Sequence, residues 1–106
     1  MSYIVIAKFV AKPELTAELA ELITQTATQS WLEPGLNKYI LVKDPTQPEL
    51  FTIVEFFATE SDYLSHRETE HLAKFRDAIT PLLASPPEVV RGVAALAHLD
   101  PKASIN

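Results

Sequence analysis

The sequence predicts an α+β domain in which a four-stranded antiparallel sheet carries its helices on one face. Three observations predict it. Segments of strand-like and helix-like hydrophobic periodicity alternate in the order β-α-β-β-α-α-β. The second and third strand segments are separated only by Asp44-Pro45-Thr46-Gln47-Pro48, a run of turn residues, which makes them an antiparallel hairpin. The chain has 106 residues, the size of one domain.

The elements follow in order. Tyr3, Val5, Ala7, Phe9 and Ala11 fall on one face of a first strand, and Ile4, Ile6, Lys8, Val10 and Lys12 on the other. Pro13 ends it, having no N–H for the ladder. A helix is predicted from Glu14 to about Ser30, with Leu15, Leu19, Leu22, Ile23 and Ala27 as its apolar stripe. Glu14, Glu18 and Glu21 lie largely off that stripe, near the end where the helix dipole favours negative charge. Glu33-Pro34-Gly35 reads as a turn in which Pro34 presets φ and Gly35 is free to take positive φ. The second strand spans Leu36 to Lys43, and the third, aromatic and β-branched, spans Leu50 to Phe57. A short helix from Thr59 to His66 has Thr59 as N-cap. A further helix from Glu70 to Leu83, capped by Thr69, has Leu72, Phe75, Ile79 and Leu82 as its stripe. Ser85-Pro86-Pro87 stops it, and Val89 to Leu99 form the last strand. Residues 1–99 then make one ferredoxin-like plait, and residues 100–106 a polar C-terminal tail.

Composition narrows the function. A hydrophobic fraction of 47% excludes a disordered chain. A net charge of −5, with no window dominated by Lys or Arg, argues against a nucleic-acid partner and shows no local basic pocket. The absence of cysteine removes disulfides, thiolate metal sites and Cys nucleophiles, and is compatible with a reducing cytoplasm. No basic region precedes the first apolar run, and Lys8 interrupts that run far short of the roughly 20 residues a membrane span needs. The expectation is a cytoplasmic protein with no membrane partner. The only glycines are Gly35 and Gly92, so no Gly-rich nucleotide loop exists and no cofactor is expected.

Helices cover one sheet face, yet the first and third strands are apolar on both. Ile4 and Ile6 lie opposite Tyr3 and Val5, and Val54 and Phe56 opposite Ile53 and Phe57. A bare apolar face marks an interface. The simplest cover is a second copy, sheet against sheet about a two-fold axis. The space between sheet and helices can then hold a small hydrophobic or aromatic ligand.

Two residues stand out as catalytic candidates. His71 is near a helix start, one step off the apolar stripe, and imidazole exchanges protons near its ordinary pKa of about 6.5. Glu55 is a carboxylate within an apolar strand, costly to bury alone. It reads either as a poised acid or as the partner of a basic residue such as Arg91. Phe9, Tyr39, Phe51, Phe57, His66 and Phe75 are candidate pocket residues, although each aromatic serves equally well as core and His66 reads more readily as a solvent-facing helix residue than as one at the pocket mouth beside Tyr63. Trp31 reads as a packing residue and His98 as an interface or surface residue. No histidine pair has the spacing of a strong metal motif, so no metal is expected.

The chain resembles the antibiotic biosynthesis monooxygenase (ABM) domain family. The resemblance is carried by Glu33-Pro34-Gly35, Lys43-Asp44-Pro45, Val54-Glu55-Phe56-Phe57, His66, Thr69-Glu70-His71-Leu72-Ala73-Lys74-Phe75 and Pro81-Leu82-Leu83-Ala84-Ser85-Pro86-Pro87, with Lys12-Pro13 ending the first strand. It implies a dimeric α+β barrel, and for activity a cofactor-independent monooxygenase of a quinol-like or polyphenolic substrate. Two alternatives stay open: a non-oxidative isomerase of a small carbonyl compound, and a non-enzymatic dimer that binds a small ligand. Three positions depart from the family pattern. Phe57 stands where many members have Trp, Leu36 where Cys is frequent, and Ala7 where the heme-degrading members carry Asn, which argues against that activity.

Overall fold

A computed structural model describes residues 2–105. Four strands and three helices form in the predicted order: β1 (Tyr3–Val10), α1 (Thr16–Ser30), β2 (Leu36–Val42), β3 (Leu50–Phe57), α2 (Glu60–Arg67), α3 (Glu70–Ile79) and β4 (Glu88–Val93). The sheet order is β2-β3-β1-β4, and every neighbouring pair is antiparallel. This is the ferredoxin-like plait, with β3 inserted between the parallel β1 and β2. Among the described residues, no helix is long and apolar enough to cross a membrane.

Period-two alternation sorts the two faces as the sequence requires. Tyr3, Val5, Ala7 and Phe9 of β1, and Phe51, Ile53, Glu55 and Phe57 of β3, are buried on the helix-covered face. The main core joins Ala7, Phe9, Phe51 and Ile53 to Leu19 and Ile23 of α1 and to Phe75 and Ile79 of α3. Both predicted caps form: Thr59 Oγ1 accepts from the Asp62 N–H at 3.1 Å, and Thr69 Oγ1 from the Leu72 N–H at 3.3 Å. After Pro81 tightens the end of α3 into a 3₁₀ turn (Thr80–Leu82), the chain is tied back to the end of β1. The Lys12 N–H donates to Leu82 O and the Ala84 N–H to Val10 O, each at 2.8 Å.

The opposite face is aliphatic. The registers align Ile40, Val54, Ile6 and Val90 in one row across all four strands. Ile40 and Val90 are exposed, Ile6 and Val54 half-buried.

Three expectations are corrected, the first being the end of α3, which falls at Ile79 rather than Leu83 because Pro81 cannot continue it. The last strand stops at Val93 rather than Leu99. Tyr3 of β1 pairs with Val93, so beyond it the neighbouring strand has run out, and Ala94 to Leu99 turn away. His98 therefore lies outside the sheet. Within the polar segment after it, Asp100 caps a 3₁₀ turn over Pro101–Ala103; Asn106 lies outside the described residues. Gly35 does not use positive φ. Its missing side chain matters because a Cβ there would overlap the Asp62 side chain in the first turn of α2. The turn before β2 is thereby pressed directly against α2.

Candidate functional site

Between the inner sheet face and helices α2 and α3 lies an open cavity of about 940 Å³. Val5, Ala7 and Phe9 of β1 form its floor, and Leu72, Phe75 and Ile79 of α3 its roof. The segment Ser85–Pro87, held by the bonds to β1, makes one rim. Tyr39 and Glu55 project into the same space from β2 and β3, and His66 from α2. α2 reaches it through one face: Tyr63, His66 and Arg67 are three and four residues apart, and all line the cavity.

Of the candidate pocket residues, Phe9, Tyr39, His66 and Phe75 line this cavity. Phe51 and Phe57 do not. Phe51 is 2% exposed and packed in the core with residues of α1. Phe57 is fully buried and backs the site from behind, its ring 5.2 Å from that of His66 and 5.6 Å from that of Tyr63. His66 is 2% exposed, so the solvent-facing reading is overturned. The helix places it inward because the spacing from Tyr63 puts both rings against the sheet. His71 is outside the cavity, half-buried at a second, smaller hollow between α1 and α3.

A residue read only as part of a turn joins these parts. Glu33, between α1 and Pro34, extends its carboxylate between the two histidines. Glu33 Oε2 is 2.8 Å from His66 Nδ1 and 2.7 Å from His71 Nε2. His66 Nε2 faces Glu55 Oε1 at 3.5 Å. The result is a continuous sequence of groups, Glu55–His66–Glu33–His71, from the cavity to the half-buried edge of the protein. The partners fix the protons. The Glu33 carboxylate only accepts, so His66 Nδ1 and His71 Nε2 carry hydrogen. The second nitrogen of a neutral His66 is then an acceptor facing Glu55.

Burial sets the charge states. It pushes the Glu55 carboxyl up to about 8, with a further upward push from the negative charge of Glu33. Burial lowers His66, against the opposing pull of Glu33. Near neutral pH a protonated Glu55 thus faces the lone pair of a neutral His66. The Tyr39 phenol is pushed well above its ordinary range by burial and then by the Glu55 charge, so it remains a hydrogen-bond donor and not a base. The expected Glu55–Arg91 pair does not form. Both residues oppose Val5 from its two sides across β1, and the Arg91 guanidinium donates instead to the Tyr63 hydroxyl at 3.2 Å.

Donor atoms of Glu33, His66 and His71 lie within 4.8 Å of one another, close enough for one ion. In the structure those atoms satisfy each other, and the set is complete as a hydrogen-bonded triad.

No basic pocket is visible along the sequence, whose net charge does not exclude one, and the fold makes one. Arg67, Arg76 and Arg91, which are all the arginines of the chain, line the cavity, and none of the six lysines does. Their positions, 67, 76 and 91, are too far apart for a sequence window to register, and only folding gathers them. Glu33 was equally hidden, since its partners are 33 and 38 residues away.

The sequence model of the family described as antibiotic biosynthesis monooxygenase matches residues 2–78. The chain belongs to that family. The matched stretch of this ABM protein holds Glu33, Glu55, His66 and His71 but stops short of β4 and the Ser85–Pro87 rim. Among solved structures, a Nitrosomonas europaea protein described as a candidate antibiotic biosynthesis monooxygenase is 26% identical, with a TM-score of 0.82 over 86% of this chain and 88% of that one. A crystal structure described as an antibiotic biosynthesis monooxygenase is 25% identical, with a TM-score of 0.83 over 88% of this chain and 98% of that one. A Mycobacterium tuberculosis protein shares the fold at 22% identity, with a TM-score of 0.83 over 88% of this chain and 94% of that one. Among curated proteins, none matches the chain.

Proposed function

We propose that this ABM protein is a cofactor-independent monooxygenase of a small quinol-like or polyphenolic substrate, acting as a homodimer. The observation that carries the reading is the proton path from Glu55, inside a largely apolar cavity, to His71 near solvent. In the proposed reaction Glu55 passes its proton to His66 and then accepts one from a substrate phenol. The phenolate gives one electron to O₂, and the resulting phenoxyl and superoxide radicals combine as a C–O bond. Glu55 returns a proton to the peroxide, and the O–O bond breaks as the hydrogen on the oxygenated carbon leaves with the outer OH as water and that carbon becomes a carbonyl. One oxygen atom stays on the product and the other leaves as water, so the substrate supplies all four electrons that O₂ takes up. Phe9, Phe75 and Ile79 hold the ring system and limit water.

His71, first in line as the base, becomes the outer terminus of the path, and Glu55 the group that meets the substrate. The dimer follows from the aliphatic row on the outer face, which a second copy would cover. Oxygen consumption with a panel of hydroquinones tests the reading. The expected outcome is uptake well above the buffer rate and its loss in Glu55→Gln; no uptake with any member rejects it. A carboxyl that both takes and gives a proton also suits a carbonyl isomerase. Turnover that persists without oxygen would select that second reading.

A further inference from the structure

The three arginines of this acidic chain all line the cavity, while its six lysines lie elsewhere. Each comes from a different element: Arg67 from the end of α2, Arg76 from α3, Arg91 from the inner face of β4. Two of them flank one ring, with guanidinium carbons 5.9 Å (Arg67) and 5.4 Å (Arg91) from the centre of Tyr63. Among the described residues none of the three makes a salt bridge to a carboxylate, although acidic residues outnumber basic ones by fourteen to nine. Among the described residues the only carboxyl lining the cavity is Glu55. A guanidinium fork matches the two oxygens of an oxyacid, which an ammonium cannot do. A neutral polyphenol has no use for three such forks.

We propose that the cavity takes an aromatic ligand bearing an oxyanion, a carboxylate, sulfonate or phosphate, with the ring system over Val5, Ala7 and Phe9 and the anion at Arg67, Arg76 and Arg91. This deepens the reading above by naming a substrate class for the same site: a ring system to be oxidised, steered and held by its acidic group. All three arginines that line the cavity are exposed, so an incoming anion can reach them from solvent. Tyr63, hydrogen-bonded to Arg91, fixes the direction of that guanidinium.

The test uses two fluorescent probes that differ by one group, anilinonaphthalene sulfonate and the uncharged phenylnaphthylamine. Affinities are measured without oxygen-dependent turnover, so failure here is separable from failure of the monooxygenase reading. The sulfonate is expected to bind about tenfold or more tighter than the neutral probe at low salt, and the advantage to shrink as salt is added. Arg91→Gln and Arg67→Gln should each weaken the sulfonate about five- to tenfold and leave the neutral probe unchanged. Arg91→Lys should recover only part of the loss. Lys74→Gln, at an exposed residue outside the cavity and paired with Glu70, should change neither. Equal affinity for the two probes overturns the proposal, as does an equal loss with Lys74→Gln, which would make the effect one of net charge. Arginine variants that alter the oligomeric state while keeping the sulfonate preference overturn it too, because the arginines would then serve a second copy of the chain.

Discussion

The two faces of one sheet are built from the same strands and carry opposite chemistry. On the inner face the middle of the sheet presents Tyr39, Glu55, Val5 and Arg91 side by side, a phenol, a carboxyl and a guanidinium around one small aliphatic residue. On the outer face the next row is Ile40, Val54, Ile6 and Val90, with no polar atom in any side chain. A step of one residue along each strand separates the two rows. The contrast assigns them different work. A row that is wholly aliphatic and partly exposed suits association, whereas a row that is buried up to its Arg91 end and mixes charge with a cavity suits chemistry. The largest test of the contrast is Glu55→Gln. It removes a proton acceptor and keeps the shape, and should cut oxygen uptake by roughly a hundred- to ten-thousand-fold with no change in molecular mass. Activity within a factor of two of the parent would break the assignment of the inner row.

The same substitution has a stability signature of known sign. Unfolded, the Glu55 carboxyl returns to its ordinary value near 4.5; folded, it is raised to about 8. Between those values the folded chain keeps a proton that the unfolded chain releases, so this group's contribution to stability is present below pH 4.5 and is lost as pH rises through about 8. Gln carries no such penalty. The melting temperature of Glu55→Gln should therefore exceed that of the parent by a margin that widens from about pH 5 to about pH 8. A margin that is constant or narrows with pH would mean that Glu55 is not held protonated.

The outer row gives the next effect in size. Ile6→Asp places a charge at the centre of the aliphatic row, at a position that its own fold leaves half-buried and a partner sheet would bury fully. Self-association, followed by light scattering against concentration, should weaken by about a hundredfold, with oxyanion-probe binding in the cavity retained. A parent protein that is monomeric at every concentration would remove the role assigned to this face.

Glu33 and His71 test the path between the two environments. Glu33→Gln keeps the size but replaces the acceptor that both imidazoles need, and His71→Ala removes only the outer terminus. Steady-state turnover should fall by about tenfold in His71→Ala and by more in Glu33→Gln. An added small buffer base should restore part of the His71→Ala loss, since it can carry the proton the imidazole carried. Loss of activity without buffer rescue would reduce His71 to a packing role.

Much of the fold was legible because periodicity is local. Thr59, Thr69 and the hairpin at Asp44–Pro48 each act on residues within a few positions, and all formed as read, whereas Pro81 ends α3 at Ile79, short of the Leu83 expected. The last strand was overextended because its end depends on where β1 begins, a fact about a partner some 90 residues away in the chain. The site divides in the same way. Glu55 stood out because a carboxyl on the buried side of an apolar strand is conspicuous by itself. Glu33 looked like the start of a turn, and its role exists only where two helices bring His66 and His71 to it. Phe51 and Phe57 had the right residue type and face for a pocket, and that α1 covers Phe51 while α2 covers Phe57 is a packing outcome with no local signature.

The smallest expected effect is the most pointed about how the path is held. Thr69 lies between the two histidines in sequence. Its hydroxyl donates to His66 O at 2.8 Å while accepting the Leu72 N–H, so one side chain ties the end of α2 to the start of α3. Thr59 caps α2 from its other end and touches neither histidine. Replacement of either by Ala should cost about 1 kcal/mol, some 4–8 °C in melting temperature for a domain of this size. The two variants should differ in turnover. Thr69→Ala frees the angle between α2 and α3 and thus the separation of His66 and His71 around Glu33, so it should lower activity about two- to fivefold beyond Thr59→Ala, and Thr69→Ser should restore it. Equal activity of the two Ala variants at equal loss of stability would show that the junction sets the fold but not the spacing of the imidazoles.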